Sequence, residues 1–358
     1  MGRVRVSQVA IRGIVCTVPG APLTIHELGS DLEAAELNKV ARTVGLEHLY
    51  RVQPTQTAGD LCVAAGRQLL GNLGWSPDSV DAMILVTQTP DYFLPATACV
   101  AHGSLGLSPH CMAFDVGMGC SGYVYGLLLA SQFVSSGACR RILLLAGDTI
   151  SRTLAPDDRS TSLLFGDAGS ATALEFEPDA PAVSFVAGTD GTGIHNLMIP
   201  SGGFRCPVLS EDGSPSIPGR RPQLHMDGLA VFDFTLKRLP PLVEETLCLQ
   251  QWSKDDVDYY VFHQANAFML QALAKKLRIA PDRMPLNIAK YANTSMVSIP
   301  LLLVDDLRGQ ISGEQPTRLL LAGFGVGYSW AAMAFSASRI SAELLRLAEE
   351  PACTTPSP

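Results

Sequence analysis

Short apolar runs alternate along this chain with longer stretches of helical spacing. Residues 80–87 and 140–146 are almost wholly apolar, as strands covered on both faces are. Residues 4–15 are rich in β-branched side chains and predict a first strand. Helical spacing marks residues 28–43, 58–73 and roughly 122–136; Thr55 and Thr57 precede the second of these and Gly74 follows it. The loop 89–95 leads to a further helix ending before Gly106. Residues 161–165 and 169–176, parted by Gly166 and Asp167, predict a hairpin.

The second half repeats the order of the first. Residues 256–262 echo 79–85, and residues 318–321 echo 141–144, both at an offset of 177. The same offset carries Cys120 to Val297, inside a loop that begins at Asn293 and precedes a helix over 299–309. Two matched strands at one offset argue for an internal duplication, with halves at 1–177 and 178–340 and a tail over 341–358, frayed from residue 349. Strands alternating with helices in both halves predict an α/β protein with mostly parallel, doubly covered sheets. Between the halves, residues 188–222 are crowded with Gly, Ser and Pro. A segment of this kind is either a functional loop or a surface excursion, and the sequence weighs the two equally.

Composition narrows the classes. With 358 residues, 47% hydrophobic and 17% charged, the chain can bury one large core or two fused ones. A net charge of −8 without a basic run argues against nucleic-acid binding. The nine cysteines form no C-x-x-C pair and are odd in number, so neither a zinc site nor a disulfide framework is indicated. No apolar run is long enough for a membrane span, and residues 1–4 lead into mixed sequence rather than a signal peptide. A soluble cytoplasmic protein is expected.

Candidate chemistry begins at residues 114–123, where an apolar run ends in the glycine-flanked Cys120 just before a helix. Glycines permit a tight turn, and a helix N-terminus favours a thiolate. A free cysteine is as readily a small buried hydrophobe. His263 closes the strand at 257–262, where open α/β sheets put their chemistry. Asn293 lies in the loop that the duplication sets opposite Cys120. A lone His at a strand end, or a lone Asn in a turn, is more often structural; three such residues converging across a pseudo-twofold axis are not. The loop 323–328 follows the last core strand, and its backbone N–H groups are placed to complete an oxyanion hole with that of Cys120.

These motifs, with 157–159 and 165–167, occur in one order over roughly residues 1 to 340, and together they resemble the β-ketoacyl-acyl-carrier-protein synthase III family of thiolase-fold condensing enzymes. The resemblance implies two duplicated βα halves in a five-layered α-β-α-β-α core. It also implies a Cys120 acyl-enzyme and a malonyl thioester that loses CO₂ to give an attacking enolate. His263 and Asn293 would donate to the enolate oxygen, Gly325, Val326 and Gly327 would support the other oxyanion, and Phe324 would exclude water. No metal or organic cofactor is expected. Substrate contacts are implied for Phe93, Arg159, Asn266 and Arg42, with Phe93 reaching the neighbouring subunit of a homodimer. The implied partners are acyl-CoA or acyl-carrier protein, and malonyl-carrier protein or malonyl-CoA.

The chain departs from that pattern in places. No Trp occurs in 37–45, where family members stack adenine, and the first is Trp75. Phe268 replaces a carrier-docking arginine, leaving Lys275 and Lys276 for that purpose, and Leu229 replaces a pantetheine-contacting asparagine. These changes leave the donor open, in fatty-acid initiation or in specialised-metabolite (polyketide) assembly. Two rivals are an acyltransferase delivering the Cys120 acyl group to an alcohol or amine, and a non-catalytic partner subunit of a condensing enzyme.

Overall fold

The computed structural model describes residues 1–28, 37, 41, 43–208 and 222–347. Its main strands are β1 (Gly2–Val6), β2 (Val9–Pro19), β3 (Ala82–Val86), β4 (Met112–Val116), β5 (Arg141–Asp148), β6 (Ala168–Phe176), β7 (Val183–Thr189), β8 (Tyr259–Phe262), β9 (Thr317–Gly325), β10 (Ser329–Ala337) and β11 (Ser341–Leu347). They form a six-stranded sheet, β11-β2-β6-β5-β3-β4, and a five-stranded sheet, β1-β7-β10-β9-β8. The main helices are α1 (Ala58–Leu73), α2 (Thr97–Leu105), α3 (Gly122–Ser135), α4 (Gly228–Gln250), α5 (Ala267–Leu277) and α6 (Ser298–Asp305).

Helices α1 and α2 cover the outer face of the six-stranded sheet, and α4, with α5 packed on it, covers the five-stranded one. Helices α3 and α6 touch both sheets and lie between them, which gives the five-layered α-β-α-β-α thiolase-like fold. Both are therefore apolar on most sides: Val124, Leu127 and Ala130 of α3 and Leu301, Leu302 and Leu303 of α6 are all buried. Burying one such leucine or valine stabilises the fold by roughly 1.5–3 kcal/mol. The outer α1 is amphipathic instead, and Thr57 and Asp60 close a capping box at its start.

The duplication is visible in strand register. Ala82 pairs with Ile142 in the first half, and Tyr259 pairs with Leu319 in the second. Both members of the pair move by 177 residues, so the repeat holds residue by residue along the β3–β5 and β8–β9 ladders.

Several sequence expectations need correction. The expected first strand, 4–15, is two strands in different sheets, because Gln8 takes a left-handed φ of 64° and turns the chain between them. The expected hairpin is absent: the Asp158 side chain accepts from Ser160 N–H and Thr161 Oγ1, which winds Arg159–Ser162 into a helical turn. The expected tail does not start at 341, since β11 pairs in parallel with β2. Likewise β1 crosses to pair with β7 of the second half. Each half thus lends a strand that covers the open edge of the other's sheet. The expected helix at 299–309 is two, α6 and Arg308–Ser312. The expected helix at 28–43 falls mostly outside the described residues, as do 209–221 of the long loop.

Candidate active site

Four strand and loop ends meet at one cavity of about 680 Å³, part of it open to solvent. Cys120 arrives on the loop between β4 and α3, and His263 directly follows β8. Asn293 comes from the loop before α6, and Phe324 and Gly325 end β9; all five line the cavity with Val326 and Asn266. Gly327 lies one turn beyond and is not among the lining residues. The Cys120 loop is anchored by Asp115, whose carboxylate accepts the Thr97 and Ala98 N–H groups at the start of α2, at 2.8 and 2.7 Å. Glycines then let β9 lie against Cys120. A Cβ on Gly325 would sit 3.1 Å from Cys120 Sγ, and one on Gly323 would sit 2.7 Å from the Cys120 carbonyl oxygen.

Asn293 is fixed in one orientation. Its Oδ1 accepts the Ser295 N–H at 3.0 Å, while Nδ2 donates to the Ala265 carbonyl at 3.3 Å. The second Nδ2 proton is left for the cavity, so the side chain faces it as a donor. The Asn293 main chain is tied to the first half as well, through its N–H to Leu164 O and its carbonyl from Gly166 N–H.

Cys120 is buried, and burial pushes its thiol up to about 12, with the Ser295 side chain pulling the other way. The sequence left a thiolate and a buried thiol equally open; burial favours the neutral thiol, and α3 begins two residues later. Ser295 Oγ lies 3.8 Å from Sγ. The backbone of Ser295 is left-handed, with φ 52°, and this turn aims its N–H, carbonyl and hydroxyl at three different partners.

His263 is buried too, and burial pushes it down to about 4, so the ring is neutral near pH 7. Its Nδ1 meets the Ser298 hydroxyl at 2.8 Å. That hydroxyl also receives the Gln264 N–H at 3.1 Å and reaches the Ser295 carbonyl at 2.8 Å. One hydroxyl proton therefore decides the tautomer. Given to the carbonyl, it makes Nδ1 a donor and Nε2 an acceptor; given to Nδ1, it makes Nε2 the donor. Phe324 meets the imidazole edge to face, with ring centroids 5.4 Å apart.

Comparison with known proteins places this arrangement. Residues 114–191 match the sequence profile of 3-oxoacyl-[acyl-carrier-protein (ACP)] synthase III, and residues 247–337 match that of its C-terminal part. A Streptomyces coelicolor β-ketoacyl-[acyl-carrier-protein] synthase III is 35% identical over 91% of this chain and 96% of its own. The chain belongs to the 3-oxoacyl-[acyl-carrier-protein] synthase III family. A crystal structure of a 3-oxoacyl-(acyl-carrier protein) synthase from Burkholderia xenovorans LB400 superposes with a TM-score of 0.91 at 41% identity, covering 97% of this chain and 99% of that one. The priming β-ketosynthase of the R1128 polyketide pathway superposes at 0.81, with 26% identity over 93% and 97% of the two chains.

The other residues that the synthase III resemblance singled out are spread more widely. Asn266 lines the cavity, but its side chain also caps α5 by accepting Met269 N–H at 2.7 Å. Lys275 and Lys276 are exposed on the last turn of α5, away from the cavity lining. Phe268 is exposed at the start of α5 and stacks on Phe232, and Leu229 is exposed at the start of α4. Phe93 is 76% exposed, tilts against Phe204, and does not line its own chain's cavity. Arg42 and the side chain of Arg159 lie outside the described residues. Sequence reasoning missed Gln88, just beyond β3, and Asp148, which ends β5, although the strand-end rule that selected His263 applies to both. It gave no role to Ser295 or Ser298. Among the described residues no group of three or more His, Cys, Asp or Glu could share a metal ion, and no helix is long and apolar enough to cross a membrane.

Proposed function

We propose that the chain is a decarboxylating condensing enzyme. Cys120 takes an acyl group from a thioester; a malonyl thioester then binds, loses CO₂, and its enolate attacks the acyl carbonyl. The observation that carries this reading is Asn293: with Oδ1 held by Ser295, its free N–H can meet only an acceptor, as an enolate oxygen is. His263 serves beside it with Nε2 protonated, the state in which the Ser298 hydroxyl turns to Nδ1. The N–H groups of Cys120 and of residues 325–327 stabilise the acyl oxyanion, and Phe324 keeps water from the thioester. The chemistry draws on no metal or organic cofactor.

Acyl-CoA or an acyl-carrier protein serves as donor and a malonyl thioester as extender, in fatty-acid or polyketide initiation, in the cytoplasm. Simple acyl transfer to an alcohol or amine would make no use of the Asn293 donor. Acyl mass on Cys120 by intact-protein mass spectrometry, followed by a 3-oxoacyl product when malonyl thioester is added, tests the reading. Acylation that passes to an alcohol without product from malonyl thioester would refute it.

A homodimer belongs to the proposal. Tyr92, Phe93 and Leu94 are exposed in succession, and β4, the edge of the six-stranded sheet, is not fully buried along its length. Sedimentation at assay concentration should show a dimer; a fully active monomer would contradict it.

A further inference from the structure

Asp148, at the end of β5, is a buried carboxylate that the condensing chemistry leaves unused. Its two oxygens are held unequally. Oδ1 accepts Gln88 N–H at 2.9 Å and the hydroxyls of Thr87 and Thr89 at 3.2 Å each. Oδ2 accepts the Gln88 side-chain amide at 3.1 Å. The same amide reaches Ser295 Oγ at 3.3 Å, so one amide joins the carboxylate to the serine hydroxyl, and that hydroxyl pulls the Asp148 carboxyl down against its burial. Ser295 Oγ is in turn 3.8 Å from Cys120 Sγ. One hydroxyl therefore separates the carboxylate from the nucleophile.

These hydrogen-bond partners of Asp148 are all neutral. The titratable groups that face it are the thiols of Cys120, from the loop before α3, and Cys62, from α1. Burial raises the Asp148 carboxyl to about 6, within the range useful to a base near neutral pH. His263, pushed down to about 4, would be the weaker base, and its Nδ1 is already engaged by Ser298.

We propose that Ser295 and Asp148 relay the Cys120 proton during acyl transfer, a step that rests on the reading of Cys120 as the acylated residue. The S–H bond breaks and its proton passes to Ser295 Oγ, while the Ser295 proton passes to the Asp148 carboxylate. The sulfur's electron pair forms the new S–C bond. The donor's sulfur leaves with the electrons of the old C–S bond and takes the proton back from Asp148 through Ser295, regenerating the carboxylate. Because the thiol sits near 12 and the carboxyl near 6, no free thiolate accumulates, and the proton leaves as the S–C bond forms. Ser295 touches the reacting atom; Asp148 acts through it as a positioning residue.

The test is the rate of Cys120 acylation by a small acyl thioester, read by rapid quench and intact mass from pH 4.5 to 9. Wild type should be level above neutrality and fall about tenfold per unit below roughly pH 6, as loss of an ionised base requires. Asp148→Asn and Ser295→Ala should each be slower at pH 7 by on the order of a hundredfold, and should rise steadily with pH without the level region. Thermal melting establishes that each variant is folded. A folded Asp148→Asn with the wild-type rate and profile would overturn the relay, and so would a wild-type rate that falls only near pH 4. Should Asp148→Asn fail to fold, Ser295→Ala decides, since it keeps the main-chain bonds to Asn293; a wild-type profile there overturns the relay. A wild-type protein that gains no acyl mass at Cys120 would overturn the nucleophile reading instead.

Discussion

At the offset of 177, Val86, Thr87, Gln88 and Thr89 at the end of β3 match His263, Gln264, Ala265 and Asn266 at the end of its counterpart β8. Strand β5 ends in Asp148; the offset of 177 puts Gly325 at the matching place on β9, since 148 + 177 = 325. The same sheet positions thus carry different chemistry. First-half ends hold a carboxylate, an amide and hydroxyls bonded to one another. Second-half ends hold an imidazole and a glycine that line the cavity. Packing explains the glycine: a side chain at 325 would enter the space of Cys120. On the proposed reading the nucleophile and the carboxylate belong to the first half, enolate stabilisation belongs to the second, and Ser295 joins the two. One physical cause acts on both, as burial drives Cys120 up and His263 down and leaves each neutral near pH 7.

The division can be broken from either side. The largest effect belongs to Asn293→Ala, which should keep acylation measurable and lower condensation by on the order of a hundredfold or more. Wild-type condensation by that variant, measured by product formation, would remove the second half's role. Next comes the buried carboxylate of the first half. Its folded pKa is raised above the unfolded 3.8 to about 6, so the folded state binds the proton more tightly, and wild type gains stability as pH falls through that window. Asp148→Asn has no such proton and should lose roughly 2 kcal/mol relative to wild type between neutral pH and pH 4. Chemical denaturation at several pH values reads this difference; a constant offset would show that the carboxyl is not perturbed. Smaller still is Ser298→Ala, which strips the shared hydroxyl from His263, Gln264 N–H and the Ser295 carbonyl. Condensation should drop about tenfold while acylation barely changes, and stability should fall by roughly 1–3 kcal/mol from the stranded N–H. Equal losses in both steps would mean that Ser298 serves the fold rather than the tautomer.

Much of this was legible in the residues. Apolar runs and one repeated offset were enough for the layered α/β fold, because doubly covered strands must be apolar and a duplicated sheet must repeat its register. Cys120, His263 and Asn293 were legible because each sits at a strand end or helix start in an uncommon polar context. Edge pairing was not legible: β1 and β11 cross between halves, and local sequence carries no record of which sheet a strand joins. Nor was the state of Cys120, since local sequence showed a helix start while the measure that counts is burial by both halves. Ser295 was hidden for a related reason. Its importance comes from a left-handed backbone that turns three groups towards three partners, and serine composition does not announce that.

The central claim, that the second half drives decarboxylation on its own terms, is tested most directly by CO₂ release from a malonyl thioester with Cys120→Ala. The account predicts that release continues while acyl mass and condensation vanish, and that Asn293→Ala acylates but scarcely releases CO₂. Loss of release in Cys120→Ala, or wild-type release in Asn293→Ala, would contradict it.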